Sequence, residues 1–317
     1  MTLEQRIKIL TTLKIFLSNG NEELQRVIEK AYQHNKWFTH ENTTLALKNI
    51  CDEFLSEEKI REWLLKYEIK EEESSKIIGI VMAGNLPLVG FHDFMCVFIS
   101  GNKSLIKLSS KDDVLFPFIQ KKLLAMDEEL KHLISFTEIL KGINAVNATG
   151  SNNSSLYFQY YYGKYPHIIR RSRSSVAVLA GIETKTDLEN LGFDIFSYFG
   201  LGCRNVSKLL VPRGYNFNFF FESLEKYAEI RNHNKYKNNF DYNSALLSMN
   251  HAPHLLNDFI IIKEEKQIIS PVSVLHYEFY ESGNELQQIL KRDEENIQCV
   301  VGQNFIPFGQ AQSPQHW

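Results

Sequence analysis

The rhythm of apolar and polar positions changes once along the chain, near residue 76. Before that point apolar residues recur at helical spacing. Leu45, Leu47, Ile50 and Phe54 form one apolar face behind a helix start at Thr39. Ile60, Trp63 and Leu64 form another behind Ser56, Glu57 and Glu58. Residues 1–70 therefore read as helices, and the charged stretch 68–76 as a joint. Beyond it the apolar positions gather into short runs, as buried strands require, at 77–83, 103–108, 143–148, 175–181 and 208–212. Helical segments fall between them. One covers Phe91 to Phe98, and one is capped within Ser109 to Asp113 and runs through Leu123. An aromatic helix follows 149–155, and another carries Leu188, Leu191, Phe193, Ile195 and Phe196. Strands alternating with helices predict an α/β fold with largely parallel sheets.

A length of 317 residues exceeds what one small core organises. The pattern divides it into a helical region at 1–75, a first α/β domain at 76–175 and a second at 176–317. A net charge of -3 argues against a nucleic-acid binder with a broad basic surface. The first ten residues lack the apolar centre and small-residue cleavage site of a secretory signal, and no uncharged apolar run reaches the ~18 residues of a spanning helix. Cys51, Cys96, Cys203 and Cys299 lie far apart with no CxxC pair, which fits a reducing, cytoplasmic setting and leaves thiols free to react. No metal site is expected: His251 and His254 are separated by Pro253 and have no third ligand nearby.

Candidate chemistry gathers at strand boundaries. Cys203 follows Gly200 and Gly202 and precedes a strand, so substrate could approach closely and backbone N–H groups could face a developing oxyanion. Arg204 would favour its thiolate. The same cysteine also reads as a buried structural one. The GLGCRN sequence begins like a dinucleotide-binding glycine motif, but Asn205 stands at the third glycine and a helix precedes it. Asn85, just beyond the first strand, offers a neutral donor where α/β sheets bind ligands, or simply a turn. Lys107 with Ser109 could hold a ribose or phosphate, or be solvated. Residues 147–155 could place a phosphate at a helix N-terminus, or cap that helix. Arg170, Arg171 and Arg173 form a basic cluster that is either solvated or suited to a phosphate.

Taken in order, these segments resemble the aldehyde dehydrogenase superfamily from about residue 77 to 314. AGNLPL resembles its Trp-Asn-Phe-Pro segment, GNKSLIKLSS its Gly-Asn-x-x-x-x-Lys-Pro-Ser segment, and ATGS its Phe-Thr-Gly-Ser. QIISPV and PFGQAQSP are similar to two later segments. AGNLPLVGFHD, GLGCRNVSKLLVP and the helical N-terminal part with WFTHEN look most like the acyl-CoA reductases related to bacterial luminescence. The resemblance implies an aldehyde-dehydrogenase-like fold of two parallel-sheet α/β domains behind the helical region. It implies Cys203 as nucleophile and Asn85 as oxyanion donor, with Lys107, Ser109, Thr149, Gly150, Ser151 and Gln267 holding NADPH, or NADH as the alternative. The implied reaction is reduction of a long-chain acyl-CoA to the aldehyde, with coenzyme A released and a homo-oligomer as the assembly. A reductase of another activated acyl group such as an acyl phosphate, and an inactive binding subunit, are the alternatives.

The family's Glu-Leu-Gly-Gly-Lys glutamate, which helps activate water, has no counterpart in IIRRSRSS (168–175), and a second family glutamate is replaced by Gln267. The first loss fits a thiol acceptor, which needs less help than water. The chain ends soon after PFGQAQSP, where family members continue into a last strand, so a truncated C-terminus is expected.

Overall fold

The computed structural model describes residues 1–69 and 75–313. Most of the charged joint, with Pro314 and Trp317, lies outside them. The chain divides at Ser172/Arg173, a few residues before the boundary expected from the sequence.

The first unit opens with helices α1 (Leu3–Ser18), α2 (Glu22–His34), α3 (His40–Asn49) and α4 (Glu57–Leu64), the last two joined by one wide π-turn. Side chains at their starts fix their boundaries. Thr2 and Gln5 form a capping box, Asn21 caps α2, and Thr39 accepts the Asn42 N–H. The sheet follows, as β1 (Ile77–Val81), α5 (Phe91–Ile99), β2 (Lys103–Lys107), α6 (Leu115–Met126), β3 (Ile134–Phe136), β4 (Ala145–Thr149), α7 (Asn152–Tyr162) and β5 (His167–Arg170). Strand order is β3-β2-β1-β4-β5, parallel throughout. Leu10 and Leu13 of α1 share one core with Phe91 and Phe94 of α5 and Phe116 of α6, so the helical region packs on the sheet's own helices.

Val114, the N-cap of α6, makes no side-chain cap, while Asp112 within the expected segment 109–113 is directed at the Leu115 N–H that opens the helix. Asp112 also turns back, accepting the Leu88 N–H at 2.7 Å, where Leu88 holds a left-handed φ of 56°. The aromatic helix α7 packs only Phe158 and Tyr162 inward, leaving Tyr157, Tyr160 and Tyr161 exposed.

The second unit contains β6 (Ser174–Val178), α8 (Lys185–Phe196), β7 (Val206–Pro212), α9 (Phe217–Leu224), α10 (Asn234–Met249), β8 (Leu255–Leu256), β9 (Ile261–Glu264), β10 (Val274–Tyr280), α11 (Gly283–Arg292) and β11 (Ile297–Val301). The order β11-β6-β7-β10-β9-β8 is parallel except for β8 on β9. Its core joins Leu188 and Leu191 of α8 to Leu209 and Val211 of β7 and to Phe217 and Phe220 of α9. Two largely parallel sheets flanked by helices make the aldehyde-dehydrogenase-like fold. Among the described residues no helix is long and apolar enough to cross a membrane.

Candidate active site

In the first sheet β1, β2 and β4 end level, Val81 opposite both Lys107 and Ala148. The strand order reverses between β1 and β4, which opens the crevice where such sheets bind ligands. The structure brings six of the expected residues to this edge. Asn85 is exposed in the loop after β1, Lys107 ends β2 with Ser109 just beyond it, and Thr149 ends β4 with Gly150 and Ser151 after it. The loops approach so closely that glycine is required. A Cβ on Gly84 would lie 2.6 Å from Ser109 Cβ, and one on Gly150 would lie 2.8 Å from Ser154 Cβ.

Several of these groups already have local partners. Lys107 Nζ donates to the Glu138 carbonyl at 2.8 Å. The Ser151 hydroxyl caps α7, accepting the Ser154 N–H at 3.1 Å. Arg170 is not merely solvated: its Nη1 donates to Asp93 Oδ1 at 2.7 Å and to Asn147 Oδ1 at 2.9 Å. Burial pushes the Asp112 carboxyl up to about 6, against the hydrogen bonds it receives from the Leu88 and Leu115 N–H groups.

In the second unit Cys203 sits in the turn between α8 and β7, with its side chain exposed. Surrounding protein raises the thiol above its usual value, opposed first by the Arg204 charge and then by the cysteine's own N–H and by Arg173. Arg204 thus acts in the expected direction but is outweighed. Ser175 Oγ donates to the Cys203 carbonyl at 3.1 Å and lies 3.0 Å from Cys299 Sγ. Asp194, fully buried on α8, accepts the N–H groups of Gly309 at 2.7 Å and Ala311 at 3.0 Å, while Arg204 Nε donates to the Ala311 carbonyl at 2.5 Å. These bonds fasten the PFGQA segment beside the cysteine turn. Burial pushes the Asp194 carboxyl up to about 6, against its two backbone hydrogen bonds and Arg204.

Gln267 is exposed in the loop between β9 and β10, and it is held by its backbone. His276 Nδ1 lies 2.9 Å from its carbonyl, Lys208 Nζ donates to the Lys266 carbonyl at 2.6 Å, and Ser207 Oγ donates to the Ile268 carbonyl at 2.6 Å. Lys208 is fully buried and pairs with Glu278, which also takes two hydrogen bonds from Arg292. Ser207 and Lys208 open the strand that Cys203 precedes, so the loop of Gln267 and the cysteine turn share one end of the second sheet. The sequence reading missed Asp194, Asn205, Ser175 and Lys208. Asp194 carried a signal, a charge inside the apolar face made by Leu191 and Ile195. Among the described residues no group of His, Cys, Asp and Glu could hold a metal ion.

Residues 12–152 match the family model described as acyl-CoA reductase (LuxC), in line with the resemblance drawn from the sequence. The chain is similar to an aldehyde dehydrogenase from Bacillus cereus solved as its NAD+ complex, with 14% identity and a TM-score of 0.68, covering 96% of this chain and 72% of that one. It is also similar to gamma-glutamyl-gamma-aminobutyraldehyde dehydrogenase from Burkholderia cenocepacia, with 12% identity and a TM-score of 0.71, covering 95% and 71%. At these identities the likeness is one of fold. A curated relative, the probable polyketide synthase 30 of Dictyostelium discoideum, is 23% identical over 256 residues. That match takes in 78% of this chain and only 8% of the synthase.

Proposed function

We propose, from the match of residues 12–152 to the acyl-CoA reductase family and a fold shared with aldehyde dehydrogenases, that this chain reduces a long-chain acyl-CoA to the aldehyde with a nicotinamide cofactor, through a thioester on Cys203. The observation that carries the reading is the solvent-reaching Cys203 thiol in a turn whose next two residues are both tied down. The first unit's edge fits the cofactor, because Gly84 and Gly150 keep the loops tight and the N-terminus of α7 suits a phosphate. Lys107, Ser109, Thr149, Gly150 and Ser151 of the first unit would hold it. NADPH is favoured over NADH on resemblance. When bound, the nicotinamide supplies the hydride.

The chain's own groups do the rest. The Cys203 thiolate forms a bond to the acyl carbon, the bond to the coenzyme A sulfur breaks, and coenzyme A leaves as the thiolate. The Cys203 N–H is the proposed oxyanion donor within this unit. No carboxylate occurs in 168–175, which supports a thiol acceptor rather than water. Four free cysteines fit a reducing, cytoplasmic setting.

Purified protein mixed with acyl-CoA alone should gain the acyl mass on Cys203, and free coenzyme A should reverse the gain. NADPH should then be consumed with a matching release of aldehyde, across a panel of chain lengths. Steady release of free acid without reductant would move the protein to hydrolytic chemistry. An adduct from acyl phosphate but not from acyl-CoA would change the substrate, and no adduct at all would favour a binding subunit.

A further inference from the structure

Between α8 and the cysteine turn the backbone takes three left-handed residues in succession, Tyr198 at φ 53°, Phe199 at 59° and Gly200 at 74°. Such a run is unfavourable for residues with a Cβ and persists only where neighbours hold it. One fully buried side chain spans the turn. Asn205 Nδ2 donates to the carbonyls of Asp194 at 2.9 Å and Ser197 at 2.8 Å, with a longer contact to Ile195. Its Oδ1 accepts the Gly202 N–H at 2.8 Å, and its own N–H returns to the Gly202 carbonyl at 3.1 Å. Its carbonyl accepts from the Ser174 hydroxyl and the Ser175 N–H, both at 3.0 Å, and Ser175 in turn holds the Cys203 carbonyl.

This pattern needs a donor and an acceptor on one short side chain. Ionised aspartate lacks the donor, serine is too short to reach from Gly202 to the end of α8, and glutamine is a methylene too long. The arrangement also commits the turn's amides. Leu201 N–H goes to Tyr198, Gly202 N–H to the Asn205 side chain and Asn205 N–H to Gly202.

We propose that Asn205 is a positioning residue for the Cys203 thiol, its side chain tying Gly202 to the end of α8 and so fixing the turn that presents the thiol. The proposal rests on the reading of Cys203 as the nucleophile. A residue that merely stabilises the fold would, when replaced, lower melting temperature and cofactor affinity together with reactivity. A positioning residue changes the reactivity of one thiol and its dependence on pH.

The test uses the full chain, iodoacetamide and peptide mass readout at Cys203, from about pH 6 to 10. Asn205→Ala should slow alkylation near neutral pH by about tenfold and move the profile to higher pH, with the NADPH dissociation constant within about twofold of the parent. A folded variant whose profile overlays the parent would overturn the proposal, as would equal losses in alkylation and NADPH binding. If Asn205→Ala does not fold, Ser175→Ala decides. It frees the Cys203 carbonyl and should shift the profile the same way by about threefold, whereas an unshifted profile rejects the idea. Alkylation uses no acyl-CoA. Failure of the parent to form a thioester therefore strikes the proposed function, and the alkylation comparison judges the positioning role separately.

Discussion

Along the carboxyl edge of the first sheet, the groups proposed to hold the cofactor are a lysine, hydroxyls and bare glycine backbone, with Lys107 tied to the Glu138 carbonyl and Ser151 to the start of α7. Around Cys203 the polar side chains are buried and bonded across the unit, Asp194 to residues 309–311 and Asn205 to the end of α8. The contrast follows from the tasks proposed for them. A bound cofactor brings its own phosphates and ring and needs a smooth surface with helix-end amides. A nucleophile must be aimed, and only groups without rotational freedom can aim it.

The sharpest way to break this comparison is at the thiol. Cys203→Ala should lower reductase turnover by ~10³-fold or more while the circular dichroism spectrum stays that of the parent. Near-normal turnover would remove the covalent step, and a requirement for Cys299 instead would misplace the nucleophile. Next comes the buried network. Asp194→Ala leaves the Gly309 and Ala311 amides without their acceptor, and should cost about 2–4 kcal/mol in urea unfolding. A loss below ~0.5 kcal/mol would mean the 309–311 segment does not depend on that carboxylate.

On the first unit the effects should be local. Lys107→Ala should weaken NADPH binding by about tenfold and leave the acyl-CoA KM nearly unchanged. An unchanged titration would take Lys107 out of the cofactor site and leave it as a strut to Glu138. The smallest effect concerns Asp112. Its folded carboxyl titrates at about 6 rather than 3.8, so the native state holds the proton more tightly than the unfolded chain. Its contribution to stability therefore falls as pH rises from about 4 to 6 and is constant above. Asp112→Asn keeps an oxygen for the Leu88 N–H and has no proton to lose. It should gain on the parent across that window, read as the difference in urea midpoints. A pH-independent difference would show that Asp112 is not held near 6.

Much of the fold was legible because β1, β2, β4, β6 and β7 are buried enough to be written as apolar runs. The helix α8 shows its inner face at Leu188, Leu191 and Ile195. β3 has three residues, and β5 is an exposed edge, so neither leaves a periodic trace. β10 carries His276 and Glu278, whose partners lie in distant elements and hide the strand from local pattern. The same limit applies to the site. Asn85, Lys107, Thr149 and Cys203 stand in short segments that motif reading can find. Asn205 and Asp194 act through carbonyls and amides elsewhere in the chain, and hydropathy scores them as interruptions.

The four free thiols differ enough to serve as clocks. Cys203 meets solvent, whereas Cys51 is buried in the π-turn after α3 in the first unit and Cys299 is half-buried on β11 in the second. Once Cys203 is blocked, slow modification of Cys51 counts openings of the helical layer and that of Cys299 counts openings of the second sheet's edge. One unmodified polypeptide thus carries a separate stopwatch for the breathing of each unit, read by mass alone.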